Sequence, residues 1–244
     1  MTFSDQFRFG ADPEVFLRDR RGNLVTAREA GVPGTKARPY DLGDGFAVQM
    51  DGLAMEFNTP VVDRLSDLQE VARQGLHRCL DLLGDKSLSV NPIITANFKK
   101  TTWDSIPDGD KILGCEPSFG MRGGIIRTRC PARSRYVGGH IHISWGEGLD
   151  TQPGSNHDKD CQFLLQYLTG LPTSCRGESR YYSGYGKNNY RPKHYGMEWR
   201  SPSSKWVFHG PTWNYVASYL TEGVGRALGK CLRASTEWRI DKSN

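Results

Sequence analysis

Short runs in which polar and apolar residues alternate fill much of the chain, and stretches with three-four apolar spacing interrupt them. Phe7 to Leu17, FRFGADPEVFL, reads as an extended strand, followed by a turn at Arg20 to Asn23 and a return strand near Leu24 to Thr26. Two further strands, Phe46 to Asp51 and Leu53 to Asn58, flank Gly52 and stop at Pro60, which cannot donate to a central ladder. Glu29 to Gly45 holds four Gly and two Pro among charged residues, so it is expected to be a loop, long enough to be functional. Asp63 to Gly84 carries Leu65, Leu68, Val71, Ala72, Leu76, Cys79, Leu80 and Leu83 at helical spacing, with Ser66 and Gln69 placed to form a capping box.

Strands are expected at Leu88 to Ala96, Ile112 to Phe119, Val137 to Trp145 and Tyr195 to Arg200, and a second helix at Asp158 to Leu171. A closing helix over Thr212 to Arg233 puts Trp213, Val216, Ala217, Leu220, Val224, Leu228 and Cys231 on one stripe, and the tail after Ala234 is expected to fray. Strands outnumber helices about two to one without regular alternation, which predicts an α+β fold: a mainly antiparallel sheet with helices on one face. No repeat or composition break suggests a linker, so residues 1–244 are read as a single domain.

Composition narrows the class. At 37% hydrophobic and 24% charged, the chain can bury a sizeable core, and disorder and collagen are excluded. The surplus of 32 Lys and Arg over 27 Asp and Glu is mild; it leaves nucleic acid possible but not favoured, since nucleotide phosphates satisfy it equally. No apolar run reaches the roughly 18 residues of a membrane span, and the start MTFSDQFRFG lacks a secretory leader, so a soluble intracellular protein is expected. Cys79, Cys115, Cys130, Cys161, Cys175 and Cys231 form no C-x-x-C pair; reduced thiols are expected, with Cys79 and Cys231 as structural residues on helix faces.

The candidate chemistry lies in strands with polar residues at i and i+2, a spacing that puts both side chains on one sheet face. These are Asp12 with Glu14, Glu56 with Asn58, His140 with His142 and Glu198 with Arg200; Asp51 lies beside the Glu56 strand and Glu116 adds a further carboxylate. Phe57, Ile141, Ile143 and Trp199 on the opposite parity indicate a buried other face, so the polar face should line a cavity. Carboxylates and imidazoles gathered there are most readily reconciled by divalent ions, and oxygen-rich ligation with one or two His favours Mg or Mn. Taken singly, each pair fits an ordinary solvated strand face, and Arg200 could simply pair with Glu198; their joint occurrence with Gly on the approaches points to one site. Arg122, Arg127, Arg129, Arg133 and Arg135, then Arg180, Lys187, Arg191 and Lys193, form a basic set suited to phosphate, although no P-loop or Rossmann glycine pattern is present.

GADPEVFL, GTKARPYDLGDG, QMDGLAMEFNTP, GCEPSF, RYVGGHIHIS and YGMEWRSPSSKW, in that order, resemble the phage-encoded amidoligase type 2 group of carboxylate-amine ligases. That group belongs to the glutamine synthetase and glutamate-cysteine ligase superfamily, and the resemblance runs from Gly10 to about Trp206. It implies a curved sheet whose concave face holds ATP and two or three Mg or Mn ions, with helices behind. By motif, Glu14, Glu56 and Glu198 would be metal ligands, with Asp12, Glu116 and His140 completing the metal set. His140 or His142 would bring an imidazole near the nucleotide phosphates, and Arg200 would face the transferred phosphoryl group.

Arg135, His142, Arg180, Lys187, Arg191, Lys193 and Arg200 are the expected nucleotide-binding residues; Arg200, Asp51 and Glu56 are the expected catalytic ones. The implied reaction joins a small-molecule or peptide carboxylate to an amine through an acyl phosphate made with ATP, in the cytoplasm of an infected bacterial host. Asp51, Asp12 and Glu116 remain alternatives for taking the amine proton. Two rival readings stand beside it, the first on the same carboxylates and the His140 and His142 pair, the second on the Arg-rich loop and nearby tyrosines. One is a metal-dependent hydrolase with an activated water. The other is a non-catalytic nucleic-acid-binding or virion-associated module, stacking bases on Tyr181, Tyr182, Tyr185 and Tyr190.

Overall fold

A computed structural model of the protein describes residues 7–84, 87–111, 118–120, 125–126, 133–172, 175 and 189–240. The strands are β1 (Arg8–Arg18), β2 (Leu24–Val25), β3 (Tyr40–Gly43), β4 (Phe46–Asp51), β5 (Ala54–Asn58), β6 (Ser89–Asn91), β7 (Thr95–Asn97), β8 (Ser118–Gly120), β9 (Ile125–Ile126), β10 (Ser134–Tyr136), β11 (Gly139–Ser144), β12 (Asn189–Lys193) and β13 (Gly196–Trp199). The helices are α1 (Leu65–Leu83), α2 (Lys100–Ser105), α3 (Asp108–Lys111), α4 (Asn156–Tyr167), α5 (Lys205–Phe208) and α6 (Gly210–Ile240). The fold is mixed α+β with a mainly antiparallel sheet, in the order β3-β4-β5-β1-β11-β13-β12-β8-β9, with β2 and β6 pairing the far end of β1. β7 and β10 form a separate two-stranded sheet.

Alternation along β1 organises two layers. Phe9, Ala11, Val15 and Leu17 point into the main core, where Ile141, Ile143, Met197 and Trp199 from β11 and β13 join Leu68, Ala72 and Leu76 of α1. Trp213, Val216, Leu220 and Val224 of α6 and Leu164 and Leu165 of α4 close it from the helical side. Gly75 lets α1 approach closely, since a Cβ there would stand 3.0 to 3.2 Å from the rings of Phe57 and Phe46. α1 ends at Gly84 in the left-handed region (φ 63°), whose N–H is bonded to the Asp81 carbonyl. On the other face of β1 lie Asp12, Glu14 and then Phe16, which packs with Leu53, Ala54, Ala96, Phe98, Ile106 and Val137 in a second, smaller core.

Several sequence expectations need correction. Leu88 to Ala96 is not one strand: β6 pairs with β1, whereas β7 pairs with β10, and the chain breaks at Pro92, which has no N–H for a ladder. The Glu29 to Gly45 loop contains β3, whose pairing with β4 survives a register shift between Asp41 and Gly43. The capping box is absent: Ser66 bonds to Asp67, and Gln69 is turned inward to donate to the Trp206 carbonyl at 2.6 Å. β12 went unforeseen because NYRPK reads as polar and proline-broken, yet it lies between β13 and β8. Of the strand expected over Ile112 to Phe119, Ser118 and Phe119 lie in β8, and residues 112–117 lie outside the described set. α6 continues to Ile240, past the expected end at Arg233, while the side chains of Leu228 and Cys231 lie outside the described set. Among the described residues, no helix is long and apolar enough to cross a membrane.

Candidate metal and phosphate site

Strand register brings together side chains that are far apart in sequence. Asp12 stands opposite His140 and Gly10 opposite His142 across β1 and β11. Glu14 stands opposite Glu56 across β1 and β5, and Gln49 of β4 opposite Glu56. Glu198 of β13 is opposite both His142 and Arg191 of β12. Residues paired across strands share a face, so one polar stripe crosses β4, β5, β1, β11, β13 and β12. It is buried: Glu14 is 2% exposed, Glu56 5%, His140 2%, Glu198 0% and Arg200 2%.

The stripe contains two groups of convergent donors. One ligand atom each from Asp12, His140 and Glu198 lies within 4.8 Å of the others, and the same holds for Glu14, Asp51 and Glu56. His140 Nδ1 is 3.4 Å from Asp12 Oδ1 and 3.3 Å from Glu198 Oε1, while His142 Nε2 is 3.2 Å from Asp12 Oδ1. The other nitrogen of His142 is hydrogen-bonded to the Tyr195 hydroxyl. Glu14 Oε2 accepts the Gly138 N–H at 2.9 Å. Asp12 and Glu14 sit on adjacent same-face positions of β1, so one strand serves both groups.

The charges are unevenly distributed. Glu198 is surrounded by cations: Arg200, Arg191 Nη1 at 2.9 Å and Lys193 Nζ at 3.2 Å. Burial alone would raise its carboxyl, but Arg200 foremost, with His140 and Arg191, holds it well below the ordinary carboxylate range. Asp12 is likewise held low, burial being outweighed by His142 and His140. His140 is pushed down by burial and by Arg200; His142 rises, because Asp12 outweighs its burial. At the other end, among the described residues, Lys36 is the cation bonded to the group, 2.9 Å from Asp51 and 3.4 Å from Glu56. Burial, then the Asp12 charge, drive Glu56 up to about 8, with Asp51 adding to the repulsion that Lys36 only partly offsets.

That local deficit of positive charge is a test of whether the residues suit a cation. Glu56 Oε2 is buried, makes no hydrogen bond among the described residues and has the Lys36 ammonium only at 3.4 Å, so a closely bound cation would offset a cost that Lys36 leaves partly uncompensated. Three carboxylates within one coordination radius fit Mg or Mn, which prefer oxygen donors. The Asp12, His140 and Glu198 group offers one nitrogen and two carboxylates, a donor set such ions also accept.

Of the residues anticipated from sequence, Asp12, Glu14, Asp51, Glu56, His140, His142, Arg191, Lys193, Glu198 and Arg200 meet on this face. Arg135 sits on the small β7-β10 sheet, stacked over Trp103 at 4.4 Å and bonded to the carbonyls of Ser134 and Lys111. Glu116, Arg180 and Lys187 lie outside the described residues, as do Arg122, Arg127, Arg129, Tyr181, Tyr182 and Tyr185. Tyr190 is no stacking platform: it is fully buried on the helical side and donates to Asp158 Oδ1 at 2.6 Å. Cys79 is buried, which pushes its thiol up to about 12 and keeps it unreactive.

Sequence reasoning missed Lys36, Tyr195 and Gln49. Gln49 was signalled by its i, i+2 relation to Asp51; Lys36 was signalled only as the lone lysine of a Gly- and Pro-rich loop; Tyr195 had no signal beyond its place beside Gly196.

Compared with known proteins, the chain matches no family model, no curated protein and no solved structure.

Proposed function

We propose that the protein is an ATP-dependent ligase that joins a carboxylate to an amine, giving an amide or isopeptide product by way of an acyl phosphate. The observation that carries this reading is the pairing, on one buried face, of two carboxylate-rich metal-compatible groups with the cationic trio Arg191, Lys193 and Arg200. Condensing an ionised carboxylate with an ammonium in water is uphill, so the carboxylate must be activated by a phosphoryl group from ATP. That transfer needs charge neutralised on phosphate oxygens and a dry, fixed environment. Bound Mg or Mn would supply Lewis acidity toward those oxygens, held by Glu14, Asp51 and Glu56 and by Asp12, His140 and Glu198. Arg200, anchored on Glu198, would present its planar fork to the phosphoryl group, a task lysine performs poorly. On this reading the sheet is concave on its polar face in the manner of glutamine synthetase-like enzymes, and the chain is phage-encoded and works in the cytoplasm of the infected bacterium.

The nitrogen-containing group Asp12, His140 and Glu198 also suits a metal-dependent hydrolase, and one experiment separates the two. Purified protein is given ATP, Mg and a panel of amino acids, peptides and polyamines. ADP release that needs both a carboxylate and an amine is expected. Failure to release ADP and to bind ATP by calorimetry would refute the ligase, and bound Zn with nucleotide-independent amide or phosphoester cleavage would establish the hydrolase.

A further inference from the structure

The β12–β13 hairpin brings Arg191, Lys193 and Glu198 to the polar face, and its turn, His194–Tyr195, adds the Tyr195 hydroxyl that is bonded to His142. Two-residue hairpin turns that match strand twist unaided have positive φ at a central residue, and neither His194 nor Tyr195 has it. The turn is instead held from outside. The Leu149 N–H donates to the His194 carbonyl at 2.8 Å, and the Trp145 and Gly146 N–H groups donate to the Tyr195 carbonyl at 3.0 and 3.2 Å. The carbonyls that flank the turn, of Lys193 and Gly196, converge on a single atom: His157 Nε2 lies 2.9 Å from each. Gly196 seats the turn against β11, since at its φ of 154° a Cβ would overlap the Ile143 carbonyl.

We propose that His157 is a positioning residue: from α4 it clamps the His194–Tyr195 turn, and so fixes the Tyr195 hydroxyl on His142 and the Lys193 ammonium on Glu198. His157 is buried near the start of α4, and its neighbour Asp158 fastens that helix to β12 by accepting from the Tyr190 hydroxyl. The Trp145 ring packs against the imidazole with centroids 5.5 Å apart. Both oxygens at Nε2 are carbonyl acceptors, so Nε2 carries a hydrogen there. Nδ1 is buried with no hydrogen-bond partner among the described residues, a cost that a leucine in this place would not incur. What the imidazole adds over leucine is the Nε2 donor, and it is spent on the turn. The hydrogen bond from Tyr195 in its turn fixes the orientation of the His142 ring, whose other nitrogen is 3.2 Å from Asp12. The consequence for turnover rests on the ligase reading; the clamp itself does not.

The test uses metal-free protein labelled with 15N-histidine and 13C-tyrosine, observed by NMR at one fixed pH, with the Tyr195 ring signal assigned from Tyr195→Phe. In the parent, the His157 Nε2–H should be visible and slow to exchange. His157→Leu, which fills the space without a donor, should move the Tyr195 ring signal to the position of a mobile, exposed tyrosine. His157→Gln, whose amide nitrogen reaches about as far as Nε2, should keep the parent signal. Tyr190→Phe loosens the same helix without touching the turn carbonyls; it should lower the urea midpoint and leave the Tyr195 signal in place. With ATP, Mg and substrates, ADP turnover should fall about tenfold or more in His157→Leu and recover to within about threefold of the parent in His157→Gln. A Tyr195 signal unchanged in His157→Leu, or moved as far in Tyr190→Phe or His157→Gln, overturns the clamp and leaves the ligase reading standing. Should His157→Leu fail to fold, the parent's Nε2–H and the His157→Gln signal carry the test, and a fast-exchanging Nε2–H overturns the proposal. A parent that releases no ADP but shows the protected Nε2–H and the expected Tyr195 signals sustains the clamp and counts against the ligase.

Discussion

Replacing Glu56 by Gln should stabilise the metal-free protein at neutral pH while removing its capacity to hold a divalent cation at the Glu14, Asp51 and Glu56 group. Glu56 is raised from an ordinary 4.5 to about 8 in the folded state, by burial first and by the Asp12 and Asp51 charges next. The unfolded chain thus releases this proton near pH 4.5, whereas the folded chain keeps it to about pH 8. A raised folded-state value means that stability is fully present below pH 4.5 and is lost as pH climbs toward 8. Each pH unit in that window costs about 1.4 kcal/mol, so at pH 7 the loss is on the order of 3 kcal/mol.

Glutamine has nearly the same volume and no proton to lose, so the variant should lack that slope. Urea unfolding in chelator, followed by tryptophan fluorescence at pH 5 and pH 8, measures it directly. The parent should lose several kcal/mol between the two pH values, and Glu56→Gln should lose markedly less. Adding Mn should then raise the parent's midpoint strongly, because metal binding displaces the proton, and the variant's hardly at all. Parallel pH profiles for the two proteins would refute the reasoning, as would a metal-free variant less stable than the parent by more than about 1 kcal/mol at pH 7.

Lys36→Met removes the ammonium held by Asp51 and Glu56, and Mn should bind this variant several-fold more tightly by calorimetry; equal or weaker binding would show that the lysine does not compete with the ion. Arg200→Lys should leave the fold intact and lower ATP turnover by about 100-fold or more, comparable to losing one transition-state donor. Turnover within tenfold of the parent would make Arg200 structural. Gly139→Ala would put a Cβ 2.5 Å from Trp206 Nε1 and 2.7 Å from the Ser203 backbone, and Trp206 is itself tied to the Gly139 carbonyl at 2.9 Å. A loss of about 1 to 3 kcal/mol in denaturant unfolding is expected, and an unchanged midpoint would contradict the packing.

The site was legible in sequence where strand periodicity alone decides the outcome. Asp12 and Glu14, His140 and His142, and Glu198 and Arg200 have i, i+2 spacing, and any strand assignment puts each pair on one face. Which strands neighbour one another was less accessible, since nothing local indicates that β1 is flanked by β5 and β11. β12 illustrates the limit: its proline and charges argue against a central strand, but its neighbours accept the missing donor and use Arg191 and Lys193 at the site. Lys36 and Tyr195 were hidden for a related reason. Their positions depend on how a loop and a turn fold back over the sheet, a long-range event that periodicity does not encode. Arg135 marks the opposite error, because a basic run suggested phosphate while the observed partners are the Trp103 ring and main-chain carbonyls.

The division of charge across the face bears on why such a site is retained at all. Carboxylates at Asp12, Glu14, Asp51, Glu56 and Glu198 are held together by a sheet whose other face is one continuous apolar core. The core fixes the strands, and the strands hold the acids at separations that their own repulsion opposes. At the Glu198 end, protein cations relieve the repulsion; at the Glu56 end the relief is incomplete, so the carboxyl holds its proton instead. A site built to be complete without ligand would have distributed its cations more evenly. The asymmetry leaves one end electrostatically suited to accept a divalent ion, and the other, already rich in cations, suited to anionic oxygens. Metal binding should therefore shift the protein's most stable pH upward, toward neutrality, and a stability maximum at the same pH with and without Mn would contradict this account of the whole face.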